Sequence, residues 1–343
     1  MRVAMYYNNR DIRLQELPVP KIGPGELLVR IQASGVCGTD VMEWYRVHKA
    51  PLVLGHEIAG EVVEVGEGLK NFKVGDRIVA THHVPCGTCH YCLSGHETVC
   101  DTLLSGTHFD PGGFCEYTRL PAINVDRGTW VLPEDVTYED ATFVEPLGCV
   151  LRGQRTAGLK PTQRVLVLGS GISGLLHINL ARALGAGKIV ATDINEFRLE
   201  AALRFGADTV FHAEEDVPEK YRSVNGGFGA DLVIVCAMAA GAFQQAIQAV
   251  ERGGTILAFA ATREGVTIPI SINDLFWRRD VTITTSYAAA PFDLVTALKL
   301  IHQKRVNVSD MITHRLSLAD TLEGFRLVVS GGDSIKVIIN TQI

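Results

Sequence analysis

Between an apolar run, Arg164 to Leu168, and a stretch carrying Leu175, Leu176, Leu180 and Leu184 at helical spacing before Gly185, lies the segment Gly169-Ser170-Gly171-Ile172-Ser173-Gly174. Strand, glycine turn and amphipathic helix in that order are the context a dinucleotide fingerprint requires, a tight strand-to-helix turn in a sheet protein being the plainer alternative. Gly169 suits a tight turn, Gly171 admits a pyrophosphate close to the backbone, and Gly174 allows the helix to pack closely on the strand. The free backbone N–H groups and the positive helix end then hold phosphates. Gly169, Gly171, Ile172, Ser173 and Gly174 are therefore candidate cofactor contacts. Asp193 ends the next apolar run, 24 positions after Gly169, close to the spacing expected of an acid that bonds the ribose hydroxyls. A carboxylate there repels a ribose 2′-phosphate, so NAD is expected rather than NADP. Arg198 is expected to border the adenosine ribose or to be a solvated helix charge.

The same texture recurs downstream. Lys188 to Thr192, Asp231 to Cys236, Thr255 to Ala260 and Val281 to Thr285 are further apolar runs, with helical stretches such as Ala242 to Val250 between some of them. Such alternation predicts a parallel sheet covered on both faces. The first third reads differently: Leu27, Val29 and Ile31 alternate with Leu28, Arg30 and Gln32 between Gly25 and Gly35, and Glu61 to Val65 and Arg77 to Thr81 are bounded by glycine turns. Short strands at that spacing suit a partly closed barrel. A chain of 343 residues exceeds one ordinary core, which predicts two lobes of roughly 150 residues. The tail from about Tyr287, with a helical pattern at Phe292 to His302 and a β-like run at Ile335 to Asn340, either closes the second lobe or returns to the first.

Four of the eight cysteines, Cys86, Cys89, Cys92 and Cys100, crowd into fifteen positions. Four thiolates close a tetrahedral shell around zinc and leave no open corner, so the expected role is structural. His90 lies among them and reads as an exposed loop residue. A second group is scattered: Cys37, the pair His56-Glu57, and Glu145. Mixed sulfur, nitrogen and oxygen ligands with one exchangeable position are what a catalytic zinc requires. Spacing does not by itself separate that reading from a core thiol, a core histidine and a helix-start acid ahead of Pro146.

The words around these residues are Gly35-Val36-Cys37-Gly38-Thr39-Asp40, Gly55-His56-Glu57-Ile58-Ala59-Gly60-Glu61-Val62-Val63, Glu145-Pro146-Leu147 and the glycine turn. In order and over essentially the whole chain they resemble the zinc-containing medium-chain alcohol dehydrogenase family, in its polyol (sorbitol) and threonine dehydrogenase branch. The resemblance implies an α/β chain in which a Rossmann doubly wound parallel sheet, residues 148–286, is inserted into a GroES-like β-rich catalytic domain, residues 1–147 and 287–343, with the substrate cleft between them. It implies Cys37 and His56 as ligands of a catalytic zinc, Glu145 where simple alcohol dehydrogenases have cysteine and polyol dehydrogenases glutamate, and Glu57 as a ligand or a neighbour that exchanges with water. Cys149, one turn past Glu145, reads as a core residue. Thr39 matches the hydroxyl that takes the alcohol proton, and Asp40 the acid that orients the zinc histidine. Many relatives carry histidine where this chain has Met42, so the proton relay runs either through ribose hydroxyls and water or through another group such as His48.

The expected activity is hydride transfer between a small alcohol and NAD, with two zinc ions per chain. A polyol or sugar is the favoured substrate by resemblance, with L-threonine or a simple secondary alcohol as the alternative. A zinc-free quinone or enone reductase and a non-enzymatic redox-sensing module are competing readings. A formal charge of −6 and a pI near 6.0 provide no field for phosphate backbones or anionic lipid, so neither nucleic acid nor membrane is an expected partner. No apolar run has the length of a signal core or a membrane span. A cytoplasmic homodimer or homotetramer is expected.

Overall fold

A computed structural model gives the fold and describes residues 1–105 and 109–343. The chain divides into two compact units, one of Met1–Gly148, Ala288–Lys304 and Val308–Ile343, the other of Cys149–Tyr287 and Arg305–Asn307.

In the first unit the leading strands are β1 (Arg2–Asn8), β2 (Asp11–Glu16), β3 (Leu27–Gly35), β4 (Leu52–Val53), β5 (Glu57–Val65), β6 (Arg77–Ala80), β7 (Tyr117–Leu120) and β8 (Thr129–Val131). The second unit contributes β9 (Val165–Leu168), β10 (Ile189–Asp193), β11 (Thr209–His212), β12 (Ala230–Val235), β13 (Val250–Ala258) and β14 (Thr282–Thr285). The chain closes with β15 (Ile312–Ser317) and β16 (Lys336–Asn340), both in the first unit.

β3 organises the first unit. One edge pairs with β5 along its length, Leu27 opposite Val65 through Gly35 opposite Glu57. The other edge is shared, with β7 facing Leu27 to Arg30 and β16 facing Ala33 to Gly35. Two register irregularities in the β3–β5 ladder bend the strands, as bulges do, and curl the sheet. Leu27, Val29 and Ile31 are wholly buried in a core that also takes Tyr6, Ile58, Val62, Phe114, Phe325 and Val337. The run ending at Asn340 therefore returns to the first unit, where it lies antiparallel to β3.

The second unit is a parallel six-stranded sheet in the order β11-β10-β9-β12-β13-β14. Strands with helical crossovers have both faces covered, and accordingly all four residues of β9 and all five of β10 are buried. The order reverses at β9, the central strand, and there the glycine turn sits. Among the described residues no helix is long and apolar enough to cross a membrane.

Candidate active site

The cysteine loop follows β6. Short turns at His90–Leu93 and Glu97–Val99 fold it back on itself, and the four Sγ atoms of Cys86, Cys89, Cys92 and Cys100 lie within 4.8 Å of one another. Sulfurs at about 2.3 Å from a tetrahedral zinc stand about 3.8 Å apart. The Cys89–Cys92 and Cys86–Cys92 separations, 3.6 and 4.0 Å, fit that shell. Backbone amides are aimed at the sulfurs: Thr88 and Cys89 donate to Cys86 at 3.4 and 3.3 Å, and Cys86 donates to Cys100 at 3.3 Å. The Thr88 amide, its hydroxyl and the Cys89 amide lower the Cys86 pKa to about 5, whereas burial pushes Cys92 up to about 12. His90 is exposed and outside the sulfur cluster.

Strand pairing assembles the second group. Because Gly35 faces Glu57 across the ladder, the residues just past β3 and just before β5 meet, and the ligand atoms of Cys37, His56 and Glu57 lie within 4.8 Å. Cys37 to Asp40 form a tight turn, closed by Asp40 N–H donating to Cys37 C=O at 3.0 Å and Cys37 N–H donating to Asp40 Oδ2 at 3.0 Å. The Thr39 hydroxyl donates to Cys37 Sγ at 3.3 Å. Asp40 Oδ1 lies 3.3 Å from His56 Nδ1, the contact by which a carboxylate orients a metal-binding imidazole. Burial works against an imidazolium at His56, but Asp40 and Cys37 outweigh it and raise its pKa well above the usual value. Burial likewise works against the Asp40 carboxylate, and His56 and Arg46 outweigh it downward.

Glu57 is ion-paired with Lys336 of β16, each side chain 1% exposed. Burial raises the Glu57 pKa and the neighbouring ammonium opposes that rise. A Cβ at Gly35 would overlap both Glu57 Oε2 and the Lys336 side chain, so glycine is required for the pair to close. Glu145 lies in the first turn of the helix Val144–Thr156, and its charge bears on Glu57. It stands 3.0 Å from His83 Nδ1 and groups with His82 and His83 rather than directly with Cys37, His56 and Glu57. The His82 and His56 rings lie 4.6 Å apart, so the two groups adjoin. Cys149 is partly exposed and belongs to neither.

Of the groups near Thr39, the protein side chain that reaches it is an arginine. His48 is exposed, and it is Arg46, buried and one helical turn from Met42, that reaches Thr39: Nε donates to its carbonyl at 3.0 Å and Nη2 to its hydroxyl at 3.4 Å. A guanidinium cannot accept a proton near neutrality, so Arg46 orients Thr39 and passes nothing on.

In the second unit Gly169 has φ +95°, a left-handed conformation, and a Cβ at Gly174 would overlap the Gly169 carbonyl oxygen. Around Gly171 the nearest atom to an added Cβ is an Arg198 nitrogen at 3.9 Å, so its surroundings are open. Ile172 and Ser173 start the helix Ile172–Ala183, whose N-terminus no side chain caps, leaving its first N–H groups aimed outward. Asp193 accepts from the amides of Ser170, Ile194 and Asn195 at 2.8, 2.8 and 3.0 Å. Of the roughly four acceptor positions on a carboxylate one remains.

The alcohol dehydrogenase GroES-like domain profile matches residues 23–127, and the zinc-binding dehydrogenase profile matches residues 173–303. Chicken (Gallus gallus) sorbitol dehydrogenase is 32% identical over 340 residues, 96% of this chain and 93% of the relative. L-threonine 3-dehydrogenase of Bacillus licheniformis is 35% identical over 336 residues, 94% of each. The chain belongs to the zinc-containing medium-chain alcohol dehydrogenase family. Among solved structures of similar fold is the alcohol dehydrogenase TADH of Thermus sp. ATN1, 28% identical with a TM-score of 0.88 over 99% of this chain and 100% of that one.

As a dehydrogenase of this family the chain is an oxidoreductase, and four of its site side chains escape a reading by motif. Lys336 was visible as a lone cation inside an apolar β-run, a placement that calls for a buried partner. His82 and His83 were visible as an adjacent pair three residues before Cys86. Arg46 carried no signal, because an arginine in a polar stretch reads as solvated.

Proposed function

We propose that this dehydrogenase oxidises a secondary hydroxyl of a polyol or sugar to a ketone with NAD, through a zinc ion held by Cys37 and His56 with Glu57 and Glu145 as carboxylate neighbours. The observation that carries the reading is the convergence of Cys37, His56 and Glu57. The donor set fits: a soft, half-buried sulfur, and a buried imidazole beside Asp40 and a buried carboxylate. A second zinc at Cys86, Cys89, Cys92 and Cys100 braces the loop.

A bound zinc ion supplies Lewis-acid polarisation of the alcohol oxygen, and bound NAD supplies the hydride acceptor. The chain's residues do the rest. The Thr39 hydroxyl, held by Arg46, would accept the substrate proton as it hands its own to water or to a ribose hydroxyl of the bound cofactor. Asp40 keeps His56 in the tautomer that presents Nε2. Lys336 balances Glu57, so that this carboxylate stays beside the site without closing it. Gly171, Ile172, Ser173 and Gly174 bind the pyrophosphate through backbone amides, Arg198 flanks them, and the charge of Asp193 disfavours a 2′-phosphate. The cysteine and histidine donors weigh against a zinc-free reductase.

Sorbitol and threonine dehydrogenases are the relatives, and glutamate rather than cysteine at position 145 supports the polyol reading. L-threonine remains the second reading on the strength of the 35% identical relative. Among the described residues β14 has no strand on its outer side, and Phe276 and Trp277, just before it in the chain, are exposed at 69% and 62%, which supports a homo-oligomer. The test is a panel of polyols, sugars, L-threonine and simple secondary alcohols assayed with NAD and NADP in parallel. NAD-dependent turnover of vicinal hydroxyl compounds is expected; strong preference for NADP would overturn the role given to Asp193.

A further inference from the structure

His82, His83 and Glu145 lie in the first unit beside the Cys37 group, and nothing in the proposed reaction uses the two histidines. Their arrangement is built rather than incidental. Past β6 the chain bends at His82, with Val84 N–H donating to His82 C=O at 3.0 Å and His83 N–H donating to the Thr81 hydroxyl at 3.1 Å. Buried Asn124 holds the Thr81 carbonyl at 2.9 Å. In a straight strand adjacent side chains point to opposite faces; the bend brings these two rings to one side, centroids 3.8 Å apart. Ligand atoms of both rings and of Glu145 fall within 4.8 Å of one another, with His83 and Glu145 buried. Two imidazoles and a carboxylate are a common donor set for a divalent cation, with an open fourth corner.

The two stations adjoin, with the His82 and His56 rings 4.6 Å apart, and the Lys336 ammonium on Glu57 and the Arg46 guanidinium 3.9 Å from Asp40 already bring positive charge to the strip. A second divalent cation so close to the first would add uncompensated positive charge among buried groups, which is costly. The strip therefore has two ligand stations that compete for one ion.

We propose that His82, His83 and Glu145 form an alternative station for the catalytic cation, able to hold it when it leaves Cys37 and His56. This rests on the zinc role given to Cys37, and the test separates the two. Zinc per chain is measured by elemental analysis after equilibration with buffered zinc, for the wild type, for Cys37→Ala, and for Cys37→Ala combined with His82→Ala and His83→Ala. The wild type is expected to hold about two ions, one of them at the four cysteines. Cys37→Ala is expected to keep about two while losing turnover, and the combined variant to fall to about one. Loss of the second ion on Cys37→Ala alone, or its retention in the combined variant, overturns the alternative station and leaves the catalytic zinc intact. A wild type with only the four-cysteine ion overturns the catalytic zinc itself. Should Cys37→Ala not fold, Cys37→Ser with and without the two histidine changes carries the same comparison, the four-cysteine zinc reporting a folded chain.

Discussion

Replacing Lys336 by methionine isolates its buried pair with Glu57. Both Lys336 and Glu57 are 1% exposed, and the ammonium also donates to the Val36 carbonyl at 3.2 Å. Methionine preserves most of the volume, so packing changes little, while Glu57 is left charged and alone or must take up a proton. Breaking a buried pair by removing one partner costs about 3–5 kcal/mol. With a midpoint shift of about 2–4 °C per kcal/mol for a unit of this size, the melting temperature should fall by roughly 6–20 °C. The assay is thermal unfolding of the zinc-loaded chain followed by circular dichroism, for Lys336→Met, Glu57→Gln and the double variant. The double variant should recover much of the loss, because neither charge is then stranded. A loss below about 1 kcal/mol for Lys336→Met, or a double variant as unstable as the two single changes combined, would refute the coupling.

Gly171→Ala should fold normally, since open space surrounds it, yet weaken dinucleotide binding at least tenfold by calorimetric titration; Gly174→Ala, which must displace the Gly169 carbonyl, should also destabilise the second unit by about 1–3 kcal/mol. Acid should expose the Arg164–Asp231 pair. Burial works against the Asp231 carboxylate, but Arg164 outweighs it and lowers its pKa, so its stabilisation is present above the unfolded value near 4 and disappears as pH falls through the lower folded value. Asp231→Asn should therefore lose about 1 kcal/mol at neutral pH and show a flatter decline of denaturation midpoint in acid.

Much of the fold was legible because its strands announce themselves. β9 is a wholly buried, continuous apolar stretch, β10 and β12 each carry an apolar run, and β3 alternates from Val29 to Gln32. β11, Thr209 to His212, was not legible: every residue in it is half-buried, as befits a short edge strand with neither a continuous nor an alternating pattern. The four cysteines could be read from spacing because one loop carries them all. The cluster at Cys37 could not, since His56 and Glu57 reach it only through the β3–β5 register and Lys336 only through the return of β16. Glu145 could be placed by position only near the Cys37 group, and its contact with His83 at 3.0 Å depends on the bend after β6, which has no sequence signal.

The most direct measurement is polyol-dependent reduction of NAD by the wild type and by Cys37→Ser, with NADH binding followed in the same preparations. Turnover in the wild type that disappears in Cys37→Ser, while NADH affinity stays within about threefold, is the expected result, because cofactor affinity resides mainly in the glycine turn. Equal turnover in both proteins would contradict a zinc-assisted reaction at Cys37 and His56.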